Sequence, residues 1–312
     1  MPRARPASST RCGPSSPSPP PSPDPATPTT QQEHHMSQFV SYLRPDQTIA
    51  WGRLEDETIY DATSQAPSLA AAIAAGALPG LAGHTENPVA LDDVELAPVI
   101  PEPGKIICIG VNYRSHQDEI GKAAPEAPVV FARYADSQMG HGADALKPAS
   151  SAQFDYEGEL ALVISEPAHK VAREDAYDHV AGYAVYNDFS VRDWQRAASQ
   201  WLPGKTWPGT GGFGPALVTP DEVGDVTELE VTTRVNGEVR QKGKVADLIN
   251  DIPAIIEYVT TFTPLSPGDV IVTGTPGGVG LFMDPQGFIV DGDVVEVEIT
   301  RLGTLRNTVR DV

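Results

Sequence analysis

The 312-residue chain predicts an α+β fold made mostly of strands. Three observations carry that prediction. Beyond Lys105, short apolar and β-branched runs recur at 105–111, 158–164, 180–187, 215–219, 228–235, 238–242, 269–274, 293–299 and 304–310, separated by turn-forming residues. Asn236-Gly237 joins two of these runs with the pair that a two-residue hairpin turn requires, because both turn positions take positive φ. Helical patterning is confined to Leu69–Leu81 and Asp247–Phe262. Helices so few do not alternate with strands, so a doubly wound βαβ sheet is not expected.

Taken in order, residues 1–35 hold ten of the thirty prolines and few large apolar side chains. Such a segment cannot bury enough surface to offset its ordering entropy and is expected to be a disordered tail. It lacks the apolar core of a secretory signal, and its prolines prevent the amphipathic helix of a transit peptide. Met36 is a natural start for the folded part. Residues 36–100 read as a small N-terminal β domain, with runs at Phe39–Leu43, Ile49–Leu54 and Thr58–Asp61 followed by an alanine-rich helix and turn over Leu69–Leu81. The three prolines of Asp92–Pro103 mark a linker into a main domain over residues 101–312. There, Asp247–Phe262 places Leu248, Ile252, Ile255, Ile256 and Val259 at helical spacing, with Pro253 near the first turn. No internal repeat is visible.

Composition narrows the function. A net charge of −20 argues against nucleic acid, which requires a basic footprint. No apolar run is long enough to cross a membrane. Two cysteines, Cys12 and Cys108, exclude a disulfide framework and suit a reducing, cytoplasmic setting. In so acidic a chain, a local cluster of Arg and Lys would mark the site of a small anionic substrate.

The chemistry is concentrated in Phe154–Ile164, which reads as one strand with an apolar second half and carboxylates in its first. Alternation along a strand would point Glu157 and Glu159 the same way. Like charges side by side there call for a positive ion between them, and oxygen-only ligation suits magnesium, manganese or calcium better than zinc. Another apolar run, Val180–Asp188, ends in a third acid. His116 and Glu119 lie three apart, so one helical turn after Tyr113 would set them on a common face, where a histidine with a carboxylate partner can act as general base. Arg192 and Gln195 share that spacing, and Lys205 sits in what reads as a loop, where a lone charge could polarise a carbonyl. Glycines in Thr273–Gly280 permit close backbone approach, so amides near Thr275 could receive a carboxylate; the stretch lacks the Lys of a P-loop.

These motifs resemble those of the fumarylacetoacetate hydrolase family. The resemblance is carried in family order by Gly110–His116, Tyr156–Leu160, Gly182-Tyr183 through Asn187-Asp188, Arg192-Asp193, Lys205, Gly214-Pro215, Val235–Glu238, Leu265–Asp269, Thr273–Gly280, Asp291–Asp293 and Leu302–Leu305. It implies a mixed β-sheet roll, with Glu157, Glu159 and Asp188 holding Mg2+ or Mn2+. It further implies that His116 and Glu119 form the catalytic dyad of acylpyruvate-cleaving members, with Lys205 catalytic and Arg192 and Gln195 on the substrate, where the glycine-rich stretch would add Thr275. Asp118 does not match the dyad position. Many relatives read Lys-Ser-Phe-Asp after the lysine, whereas this chain reads Lys205-Thr206-Trp207-Pro208-Gly209. That departure alters the distal pocket, for which Arg133-Tyr134 and Gly140-His141-Gly142 are candidate readers.

The expected activity is metal-dependent hydrolysis of a C–C bond in a small β-diketo acid of the acylpyruvate or fumarylpyruvate type, in aromatic-compound catabolism. Water activated by His116 and Glu119 would attack the distal carbonyl while Lys205 stabilises developing charge. Two sister chemistries share the enolate step: oxaloacetate-type decarboxylation, and isomerisation or hydration of 2-hydroxymuconate or 2-hydroxyhepta-2,4-diene-1,7-dioate type acids. A non-catalytic, acidic metal-binding β domain is the alternative from another class; it would need none of His116, Glu119 and Lys205. A homodimer is the expected assembly.

Overall fold

Strand Gly158–Ile164 organises the molecule, because all seven of its residues are buried. In the computed structural model, which describes Ala4, residues 38–121 and residues 126–312, this strand lies inside a twelve-stranded mixed sheet. Its pleat sends Leu160, Leu162 and Ile164 to one face and Ala161 and Val163 to the other. The first face packs against Val231, Val297 and Ile299 of a second, five-stranded sheet and against Ile255, Ile256 and Val259 of helix Ile252–Phe262. The second meets Leu69, Ala72 and Ile73 of helix Leu69–Ala74. Each leucine so enclosed contributes about 2 kcal/mol of burial free energy. A strand covered on both faces is what a continuous apolar run encodes.

Ten strands of the large sheet run in the order 88–90, 58–61, 49–55, 38–43, 211–218, 180–188, 158–164, 270–272, 106–110 and 129–133, while 95–96 pairs with 38–43 and 138–139 with 211–218. Most neighbours are antiparallel, while 270–272 with 106–110 and 211–218 with 138–139 run parallel. The segment expected as a small N-terminal domain adds strands to this sheet, Gln38 and Phe39 pairing with Val218 and Leu217. The described residues from 38 onward belong to one compact unit. The five-stranded sheet has the order 238–244, 230–235, 294–299, 303–311 and 144–147. Its 230–244 hairpin turns at Asn236 and Gly237, with φ of 53° and 81°. The two sheets approach closely at Gly158, where an added Cβ would lie 2.2 Å from Thr233 Oγ1.

The fold is α+β and mostly β, as expected. Among the described residues, no helix is long and apolar enough to cross a membrane. The tail expected over residues 1–35 lies outside the described residues apart from Ala4. One expectation is corrected: Phe154–Ile164 is not a single strand. Phe154-Asp155 pairs with Ser190-Val191 in a separate two-stranded sheet, and the large-sheet strand begins at Gly158. The break has a local cause. Asp155 Oδ1 accepts the N–H of Tyr156 at 2.9 Å, and Asn187 Oδ1 accepts that of Glu157 at 3.0 Å, so these two amides bind side chains instead of a backbone ladder.

Candidate active site

The break at Tyr156-Glu157 is what assembles the acids. Glu157 precedes the strand, so strand alternation does not aim it. Register does: the N–H of Asp188 donates to Glu157 O at 2.9 Å, which sets the end of strand 180–188 opposite Glu157. One oxygen from each of Glu157, Glu159 and Asp188 then lies within 4.8 Å of the other two.

Three buried cations surround these acids. Lys205 Nζ donates to Glu157 Oε2 at 2.5 Å and to Asp188 Oδ2 at 2.6 Å. Arg192 Nη1 donates to Glu157 Oε1 at 2.6 Å and to Gln195 Oε1 at 3.0 Å, and its Nε donates to Asp155 Oδ2 at 2.8 Å. Arg133 Nη1 donates to Asp188 Oδ1 at 2.5 Å. Burial alone would push the Glu157 carboxyl up, but the charges of Arg192 and Lys205 outweigh it and hold the group far below the usual carboxylate range. Burial also opposes the Lys205 ammonium, yet Asp188 and Glu157 raise its pKa. Among the described residues no cation contacts Glu159: burial and the neighbouring charges of Asp188 and Glu157 outweigh the more distant Lys205 and push its carboxyl well above the usual range. Its Oε2 accepts the N–H of Gly274 at 2.5 Å.

The group fits a hard divalent cation. Four buried carboxyl groups, counting Asp155, face three buried cations, and the one without a cation contact among the described residues is Glu159, whose charged form burial disfavours until a further positive charge arrives. Carboxylate oxygen is the donor set that magnesium and manganese take.

A cavity of about 320 Å³ opens over this cluster. His116, Glu157, Glu159, Gln195, Lys205 and Thr275 line it, so most of the residues singled out in the sequence meet in one place. His116 and Glu119 lie on helix Arg114–Ile120, which follows Tyr113 as expected, and His116 Nδ1 is 3.2 Å from Glu119 Oε2. The other Glu119 oxygen accepts the N–H of Gly278 at 2.6 Å, which ties the helix to the glycine-rich turn. The Phe282 ring stands edge-on to His116, centroids 5.9 Å apart.

Other expectations are modified. Lys205 ends the one-turn helix Leu202–Lys205 instead of lying in a loop. That helix abuts the one-turn helix Arg192–Gln195, and Gly204 makes the approach possible, since a Cβ there would fall 2.4 Å from Gln195. The Thr275 hydroxyl is engaged structurally, donating to Gly158 O at 2.9 Å and accepting from Gln241 Nε2 at 2.8 Å. Arg133 does not reach a distal substrate group: its guanidinium is buried against Asp188 and Thr210. His141 accepts from the N–H of Arg306 at 3.3 Å and is not part of the cavity wall.

Sequence reasoning missed Asp155. It is fully buried and gathers four donors: the N–H groups of Tyr156, Gly280 and Leu281 and Nε of Arg192, all at 2.8–2.9 Å. It thereby fastens the turn carrying Leu281 and Phe282 to the arginine that holds Glu157. The available signal was an acid next to Phe154, just ahead of Glu157 and Glu159.

Known proteins show the same arrangement of sequence and fold. A family model, Fumarylacetoacetate (FAA) hydrolase C-terminal, matches residues 105–310. The chain is 44% identical over 224 residues to the oxaloacetate tautomerase YisK of Bacillus subtilis (strain 168), covering 70% of this chain and 74% of that protein. It is 43% identical over 216 residues to the mitochondrial oxaloacetate tautomerase FAHD2A of Homo sapiens, covering 69% and 68%. The solved structure of a fumarylacetoacetate hydrolase from the psychrophilic Exiguobacterium antarcticum matches with a TM-score of 0.77 at 34% identity, covering 88% of this chain and all of that one. The mixed-sheet fold, the order of motifs and these matches agree: the chain belongs to the fumarylacetoacetate hydrolase family.

Proposed function

We propose that the protein is a divalent-metal-dependent oxaloacetate tautomerase, which moves a proton between C3 and the C2 carbonyl oxygen of a small keto acid. The observation that carries this reading is a single cavity lined by one base, His116 backed by Glu119, and one ammonium, Lys205, over the carboxylate triad. The names of the relatives at 44% and 43% identity support it over acylpyruvate hydrolysis.

The Glu119 carboxylate accepts only, so His116 Nδ1 carries the ring proton and Nε2 keeps its lone pair. Nε2 takes the proton from C3, the C–H electron pair forms the C2–C3 double bond, and the carbonyl oxygen gains the charge. Glu157 and Asp188 occupy two of the three Lys205 donors, which leaves the third for that oxygen. The imidazolium then returns its proton to the oxygen and completes the enol; the reverse sequence consumes it. A Mg2+ or Mn2+ ion held by Glu157, Glu159 and Asp188 supplies Lewis-acid stabilisation of the substrate's oxygens when bound.

The walls beside the base favour this chemistry over hydrolysis. Phe282 stands edge-on to His116, Ile120 and Leu281 line the same cavity, and apolar walls suit proton transfer to carbon better than the holding of an attacking water. The test follows the ultraviolet absorbance of enol-oxaloacetate with magnesium supplied, alongside cleavage of acylpyruvates. Enol consumption well above the buffer rate is expected. Rapid acylpyruvate cleavage, with oxaloacetate exchanging only at the buffer rate, would overturn the assignment in favour of the hydrolase.

A further inference from the structure

Three cationic side chains line the cavity: Arg192, Arg196 and Lys205. Two are engaged within the protein. Lys205 is shared by Glu157 and Asp188, and Arg192 by Asp155, Glu157 and Gln195, with only its Nη2 lacking a partner. Arg196 differs. Among the described residues its guanidinium makes no hydrogen bond and no ion pair, although the chain carries twenty more acidic than basic side chains. Its backbone N–H closes the one-turn helix on Arg192 O at 3.1 Å, so the two arginines stand four residues apart on one side of that turn. Arg192 is buried at the cavity floor, whereas Arg196 is exposed at its rim.

We propose that Arg196 is a specificity-determining residue that pairs with the second carboxylate of a dicarboxylic keto acid. The proposal deepens the tautomerase reading and rests on its placing of the keto-acid end over the triad. Charge balance supports it. The buried cluster has one carboxylate more than it has cations, so a divalent ion leaves one positive charge, which the first substrate carboxylate neutralises. A second carboxylate needs a cation of its own, and Arg196 is the cavity cation not already in use. Phe131 and Trp201, with rings 5.4 Å apart, also line the cavity and carry no charge.

The test compares binding of 3,3-difluorooxaloacetate, which has no enolisable hydrogen, with that of its 4-methyl ester, by calorimetry on the magnesium-loaded protein. Wild type should bind the diacid about tenfold tighter than the ester, the scale of one charge-assisted contact. Arg196→Gln should bring that ratio close to one by weakening the diacid alone, and Arg196→Lys should restore part of it. Arg196 is exposed, so an unchanged melting temperature is expected for both variants. An Arg196→Gln protein that keeps the wild-type ratio, or a wild type without preference, overturns the proposal. A ratio abolished by Arg196→Gln in a protein that does not accelerate oxaloacetate tautomerisation overturns the tautomerase reading and leaves the assignment of Arg196 in place.

Discussion

Replacing Glu119 by Gln tests the proposed reaction at a single proton. The Glu119 carboxylate has two engagements, Oε1 on the N–H of Gly278 at 2.6 Å and Oε2 on His116 Nδ1 at 3.2 Å. In the variant, the Gly278 N–H holds the amide oxygen, so the amide NH2 faces Nδ1. A donor there makes Nδ1 an acceptor and moves the ring proton to Nε2, which then has no lone pair to offer C3. Inverting the amide instead sets its NH2 against the Gly278 N–H, at a cost of about 1–3 kcal/mol. The analogous acid-to-amide change behind a catalytic histidine costs about 10⁴ in rate in serine proteases. A fall in kcat of at least about a hundredfold is therefore expected, the scale of a lost general base. KM and Mg2+ affinity should change little, because Glu119 lies outside the carboxylate triad. The assay is enol-oxaloacetate consumption, with magnesium binding measured on the same preparations. A variant retaining more than about a tenth of wild-type kcat would show that the tautomer of His116 does not control the reaction.

Two further variants probe the framework. Glu159→Gln removes the carboxylate that has no cation partner, so in excess chelator its melting temperature should equal or exceed that of wild type, while the stabilisation that magnesium gives wild type should vanish; a large loss of stability in chelator would contradict the charge count. Asp155→Asn turns an NH2 toward at least one of four converging donors in a buried site, a cost of about 3 kcal/mol or more. Thermal unfolding should then fall by roughly 6 °C or more for a domain of this size, and an unchanged midpoint would remove Asp155 from its role.

How far the sequence can be read depends on where each residue's partner lies. Strands 158–164 and 180–188 are legible because both of their faces are buried, and such burial leaves an apolar run in the sequence itself. The His116–Glu119 pair is legible because its geometry is local, one turn of one helix. Arg133 is not: it ends strand Val129–Arg133, and the charge that explains a buried arginine there is Asp188, fifty-five positions away. Strand Asp144–Lys147 escapes sequence reading for a related reason. It is short and polar, and it exists because the edge of strand 303–311 pairs with it in parallel. Phe154–Ile164 reads as one strand because its pattern gives no sign that Asp155 and Asn187 take the amides at which the ladder stops. The three acids of the triad are legible as a group, although it is the register of a neighbouring strand that brings them together.

The departure from the family pattern after Lys205 acquires a physical meaning from this placement. Trp207 stands where many relatives carry a different residue, and its Nε1 donates to Pro203 O at 2.7 Å, within the one-turn helix that ends in Lys205. The same ring meets Trp194 edge-on at 5.1 Å, and Trp194 belongs to the one-turn helix that presents Arg192, Gln195 and Arg196. The altered segment therefore braces, from behind, both short helices whose cations face the cavity. Lys205 is fixed by its two acids whatever lies behind it, whereas the Arg196 guanidinium has no polar partner among the described residues to fix it. A change in this bracing consequently acts on the rim of the cavity and spares its floor.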